Sequence, residues 1–138
     1  MIGPPAVSEL ITSRWAVTLD PAFTPVEGTN LFFDRMPDSP DEVLVVMSVP
    51  GLAPVRTFGD DPAYERPRVQ VYARGPARDR DRVSDLIEAA AAAVTSTDIT
   101  VTEGHVLRCE STTSPHIVDY DTQDRPRAVF TAELWIAT

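Results

Sequence analysis

Arg127-Ala128-Val129-Phe130-Thr131-Ala132-Glu133-Leu134-Trp135-Ile136-Ala137 is the stretch on which the fold class turns. Ala128, Phe130, Ala132, Leu134 and Ile136 fall on every second position. Val129, Thr131, Glu133 and Trp135 fill the positions between. A period of two is that of a strand with one face on a core. The chain ends one residue later, so its C-terminus is expected to be pinned in a sheet.

Strands precede it. Tyr120-Asp121-Thr122-Gln123-Asp124 has the composition of a hairpin turn. Before it, Ser114–Tyr120, His105–Ser111 and Ile99–Val101 read as extended. Further upstream the period changes. Val83, Leu86, Ile87, Ala90 and Val94 form a helical stripe, and the run Ala89–Ala93 favours a helix packed close to a sheet. Gly75-Pro76 breaks the chain before that helix. Arg68–Arg74 alternates again, with Val69, Val71 and Ala73 inward and Arg68, Gln70, Tyr72 and Arg74 outward. Residues 42–49 are apolar on both faces, as expected for a strand covered on each side. Leu31-Phe32-Phe33 begins a short strand, and Met36–Asp41 is a turn between the two. At the front, Val7, Leu10, Ile11 and Trp15 mark a helix entered through Pro4-Pro5 and ended at Asp20-Pro21.

Helices segregated from runs of antiparallel strands make this an α+β domain. The expectation is a mostly antiparallel sheet of about four to five strands flanked by two helices, with residues 1–138 as one domain. Residues 51–67 have no clear period and are expected to form a long loop. The loop carries Phe58, Asp60, Asp61 and Tyr64, aromatics and acids suited to ordering against a partner.

The chain has 21 acidic and 12 basic residues, giving a net charge of −9. That sign excludes a sequence-independent nucleic-acid binder, which needs a basic surface. No apolar run approaches the ~20 residues that a membrane-spanning helix requires. The N-terminus lacks the basic region and apolar stretch of a secretory signal. All the bases are Arg, a bias that GC-rich coding produces.

Catalytic patterns are missing. There is no Gly-rich phosphate loop, no H-E-x-x-H and no cysteine pair. The single cysteine, Cys109, reads as a buried structural residue of a reducing compartment. Glu103, His105, His116, Asp119 and Asp121 match no defensible metal-ligand spacing. Asp60-Asp61 and Asp38–Asp41 sit in turn sequences, where acids are common. The expectation is no enzyme, no cofactor and no metal. Arg78-Asp79-Arg80-Asp81-Arg82, at the start of the second helix, alternates in sign. It reads as a solvated helix end or a charge seam between subunits, and as a poor phosphate site because the acids cancel the bases.

Three stretches carry a resemblance. Residues 30–49 run from an aromatic strand through Arg35-Met36-Pro37-Asp38-Ser39-Pro40-Asp41-Glu42 into an apolar strand. Pro67–Gly75 leads into the Ala-rich helix. Pro115–Asp121, a turn, Arg125 and the terminal strand close the chain. In this order they resemble small minor capsid proteins of long-tailed, siphovirus-like bacteriophages, the tail terminators. Arg125-Pro126-Arg127 departs from the pattern, which has a glycine in that turn.

The resemblance implies a structural virion protein of the tail or neck, assembled in the host cytoplasm. It implies a homo-oligomer, a hexameric ring, that caps the tube of major tail protein and meets the head–tail connector protein. Genomic DNA would pass through the lumen without specific binding, and no membrane is involved. Six copies would carry roughly −54, a field that disfavours DNA sticking if acids line the lumen. A ring needs two different patches per subunit. The candidates are Arg78, Asp79, Arg80, Asp81 and Arg82 on one side and Phe58, Asp60, Asp61 and Tyr64 on the other. The alternatives are another neck or head-completion protein, or an acidic binding module such as an inhibitor or DNA mimic.

Overall fold

The computed structural model describes residues 3–15, 20, 22–56 and 62–137. Two helices, α1 (Pro4–Arg14) and α2 (Arg80–Val94), lie on one face of a single sheet. The strands are β1 (Leu31–Phe33), β2 (Val43–Arg56), β3 (Pro62–Arg74), β4 (Ser96–Val101), β5 (Gly104–Ser111), β6 (His116–Tyr120) and β7 (Pro126–Ala137). Their order is β1-β2-β3-β7-β5-β4, with β6 also on β7. The α+β class holds. Among the described residues the sheet has seven strands, more than the four to five expected. Part of the excess arises because β5 and β6 follow one another along the same edge of β7.

β7 is the hub. It pairs antiparallel with β3 on one side and with β5 and β6 on the other. Its alternation does what the period of two requires. Ala128, Phe130, Ala132, Leu134 and Ile136 are fully buried under the helices. Against them pack Leu86, Ile87, Ala90 and Ala93 of α2, and Leu10 and Ile11 of α1 belong to the same core. The small alanines let α2 approach the sheet closely.

The expected loop over residues 51–67 is largely strand: residues 51–56 continue β2 and residues 62–67 begin β3, the two paired antiparallel, while 57–61 lie outside the described residues. Prolines at 50, 54, 62 and 67 hide the strand period in the sequence. The pairing absorbs them through register shifts between Val49 and Leu52, Leu52 and Val55, and Val55 and Arg56. Gly51 permits one close approach: a Cβ there would lie 2.8 Å from the Arg66 carbonyl oxygen.

The Met36–Asp41 segment does not close a hairpin either. β1 pairs with β2 in parallel, so residues 34–42 must cross over. They cross the helix-free face of the sheet, where Arg74 holds them. Its guanidinium donates to the carbonyls of Pro37 (2.6 Å), Pro40 (2.5 Å) and Asp41 (3.0 Å). Arg74, expected outside, is therefore 3% exposed. Val43 and Val45 are fully buried, as expected for a strand covered on both sides.

Arg125 is the second buried guanidinium. It donates to the Asp38 carbonyl (2.6 Å), to Asp41 (3.1 Å) and to Asp121 (2.8 Å). The turn between β6 and β7 forms where expected. Asp124 supplies the left-handed conformation at φ 60°, the place where a glycine is missing. Burial pushes the Asp121 carboxyl up. The backbone N–H groups of Arg125 and Gln123, with the Arg125 side chain, outweigh this and hold it below its ordinary value.

Two predictions follow from this packing. Asp121 stabilises the fold fully at neutral pH, and the contribution vanishes as pH falls through its lowered titration. Asp121→Asn is expected to cost about 2 kcal/mol at neutral pH, with the gap to the parent closing below about pH 4. Urea denaturation across pH checks this; a gap independent of pH would refute it. Cys109 is 1% exposed, and burial pushes its thiol up to about 12. A thiol reagent should label it only on unfolding, in step with the loss of circular dichroism.

Candidate assembly interface

The face of the sheet away from the helices is covered at the Arg74 end and open at the other. On the open part, Tyr64, Arg66 and Arg68 of β3 lie on the same side as Glu133 and Trp135 of β7, following the register Arg68↔Glu133. The Tyr64 and Trp135 rings stack, with centroids 5.2 Å apart and planes at 25°. The Arg66 guanidinium carbon lies 5.9 Å from the Trp135 ring centroid. That of Arg108, opposite Trp135 on β5, lies 5.0 Å away. Such cation–π contacts contribute roughly 0.5–1 kcal/mol each at exposed sites. Arg108 also bonds Glu110 at 3.1 Å. Two donors here, Trp135 Nε1 and Arg68 Nε, are buried without an acceptor.

The charged start of α2 lies at the opposite end of the sheet. Asp79 is the N-cap, accepting from the Arg82 backbone N–H at 3.1 Å. Arg82 turns inward to its own chain, bonding Glu42 at 2.8 and 3.0 Å and Asp20 at 2.6 Å. The Glu42 bonds hold its guanidinium charged well above its ordinary value. Arg78, at φ 63°, lies 3.7 Å from Asp124. Arg80 and Asp81 are exposed. Of the expected seam, Asp79 and Arg82 thus serve α2 and the loops beside it, while Arg78, Arg80 and Asp81 face solvent.

The structure therefore places Tyr64 apart from the charged start of α2. Tyr64 sits ten residues before Arg74 on β3, roughly 33 Å of extended chain. Phe58, Asp60 and Asp61 lie outside the described residues. The sequence reading missed Trp135, Arg66 and Arg108 as a group. The available signal was a tryptophan on the polar side of an alternating strand.

The acids and histidines that invited a metal reading hold separate partners. Glu103 accepts from the Gly3 and Ala6 N–H groups and caps α1. Asp119 pairs with Arg127 at 2.5 Å, and Asp121 with Arg125. His105 meets Asp98 at 2.6 Å, and His116 meets the Ser114 carbonyl at 2.8 Å. No group of three or more ligating side chains occurs among the described residues.

No curated protein matches the chain. A solved chain from the virion of a native gene transfer agent particle is similar in fold, with a TM-score of 0.60 and 13% identity over 96% of this chain and 92% of that one. A second solved chain has a TM-score of 0.48 at 17% identity, over 94% of each. The model of the bacteriophage tail terminator protein family matches residues 13–137, nearly the whole length. The chain belongs to the bacteriophage tail terminator protein family.

Proposed function

We propose that this protein forms a ring on the tip of a completed phage-like tail tube, ends tube growth and presents a docking surface to the head connector. The observation that carries this reading is the family match across residues 13–137. The expected partners are further copies of itself, the tube protein and the connector, with DNA passing through the lumen. Its place is the virion, after assembly in the host cytoplasm, and its role is structural rather than enzymatic.

The geometry supports a ring by offering unlike surfaces. A closed ring joins two different patches of each subunit. Here a helix-covered face backs an open sheet face, and the charged start of α2 lies far from Tyr64 along β3. A DNA-mimic reading gains nothing from the structure. Asp20, Asp41, Glu42, Glu103 and Asp121 are spent on the chain's own guanidiniums and helix end rather than set in a row at phosphate spacing.

Light scattering across a concentration series, with negative-stain images of the same fractions and of fractions mixed with tail tubes, tests the ring. A six-fold species with a central hole, free or on tube tips, is expected. A stable dimer closed by a two-fold contact would overturn it. The long β2–β3 pair is proposed as an assembly element, through Tyr64 of β3 and through Phe58, Asp60 and Asp61 of the sequence between the two strands. Deleting Asp60–Tyr64 should leave cooperative unfolding in place, because the core cluster lies elsewhere. Capping of tubes should be lost; normal capping by the deletion variant would remove this element from the interface.

A further inference from the structure

The open sheet face is unusual for so acidic a chain. Arg66, Arg68 and Arg108 gather around the Trp135–Tyr64 stack. Among the described residues two acids share the face, Glu133 and Glu110, and Glu110 is held by Arg108. Among the described residues no helix or crossover covers this end, and Trp135 Nε1 and Arg68 Nε lack acceptors.

The complementary surface lies on the other side of the molecule. α2 buries Val83, Leu86, Ile87, Ala90 and Val94 against the sheet. Its outer ridge is Asp81, Asp85 and Glu88, spaced by four and three residues and all exposed. Among the described residues no ion pair or side-chain hydrogen bond engages these three carboxylates. α2 is thus a preformed helix carrying an uncompensated acidic edge.

We infer that the open sheet face around Trp135 receives the acidic ridge of α2 from a second copy of this chain. This rests on the ring reading and names the contact that repeats around it. The occupant follows from charge and from placement. A helix ridge of carboxylates fits guanidiniums held in place by an aromatic platform, which donate bidentate bonds to carboxylate oxygens. The two surfaces lie on opposite faces of one subunit, so neither can satisfy the other within the chain. Their pairing is heterologous, the type a ring requires. An aromatic centre with arginines beside it is also the composition typical of an energetically dominant interface patch.

Two charge-reversal variants test this, Arg66→Glu/Arg108→Glu and Asp85→Arg/Glu88→Arg. All four side chains are at least partly exposed, and matching melting curves for variants and parent establish that the folds are intact. Each variant alone sets like charges against each other and should weaken self-association at least about tenfold by sedimentation. Mixed in equal amounts, the two should assemble again, because every contact in an alternating even-numbered ring is then complementary. The quadruple variant should assemble alone.

Normal rings from either variant by itself would overturn this contact and leave the ring standing. Failure of both the mixture and the quadruple variant to assemble would overturn it too. Normal rings that no longer cap tubes would assign the sheet face to the tube protein instead. A parent that forms no ring, alone or on tube tips, would remove the ring reading and this contact with it.

Discussion

Two buried guanidiniums hold this structure in its shape. A buried charge is costly unless its hydrogen-bonding capacity is met. Arg74 and Arg125 meet it largely with backbone carbonyls: Pro37, Pro40 and Asp41 for the first, Asp38 for the second, with Asp41 and Asp121 side chains completing the latter. The acceptors come from one crossover and one turn, so the same bonds that satisfy the charges tie residues 37–41 to the β6–β7 turn. Burial, with Arg125 nearby, pulls Arg74 below its ordinary value, and the carboxylates of Asp121, Asp41 and Asp38 oppose that pull. The cluster is stable as a set. Removing the Asp121 carboxylate takes from the buried Arg125 guanidinium one of its charged partners.

The consequence is an asymmetric sheet. At the arginine end the crossover covers the second face, where Val43 and Val45 are buried, while Leu44 and Val46 join the core under the helices. At the far end no described segment does the same, and the alternation of β3 and β7 delivers Tyr64, Arg66 and Trp135 to that face. An assembly protein needs rigidity near its exposed patches, since ordering a floppy surface costs conformational entropy on binding. The stack of Tyr64 on Trp135 and the flanking guanidiniums supply that order before any partner arrives. The outer strand β4 is treated differently. Asp98, at φ 57°, places an exposed acid in an edge strand, a device that discourages indiscriminate edge pairing.

What could be read from the sequence follows from which signals are local. The β7 alternation, the α2 stripe and the helix at the front are periodic, and periodicity survives without tertiary context. The β6–β7 turn was legible from composition, although Asp124 rather than glycine takes the left-handed position. The long β2–β3 pair was not legible. Its prolines and Gly51 spell a loop, and only the register shifts on the partner strand show how a strand accommodates them. Arg74 was misplaced for a related reason. Alternation put it correctly on the face away from the helices, but not beneath a crossover arriving from residues 34–42. The Trp135 cluster draws on β3, β5 and β7, and such convergence has no signature in any one segment.

The net charge is the feature most changed by seeing the fold. Read as a sum, −9 describes a uniformly acidic surface suited to repelling DNA. Read by position, it divides. Asp20, Asp41, Glu42, Asp119 and Asp121 neutralise arginines within the chain, and Glu103 caps a helix. The uncompensated acids that remain include the α2 ridge, while arginines gather on the opposite sheet face. A subunit built this way has a charge gradient from one face to the other. Gradients of that kind set the order in which identical subunits approach, because like faces repel and unlike faces attract. In the ring proposed above, where copies would meet head to tail, the distribution of charge would constrain assembly more than its total does.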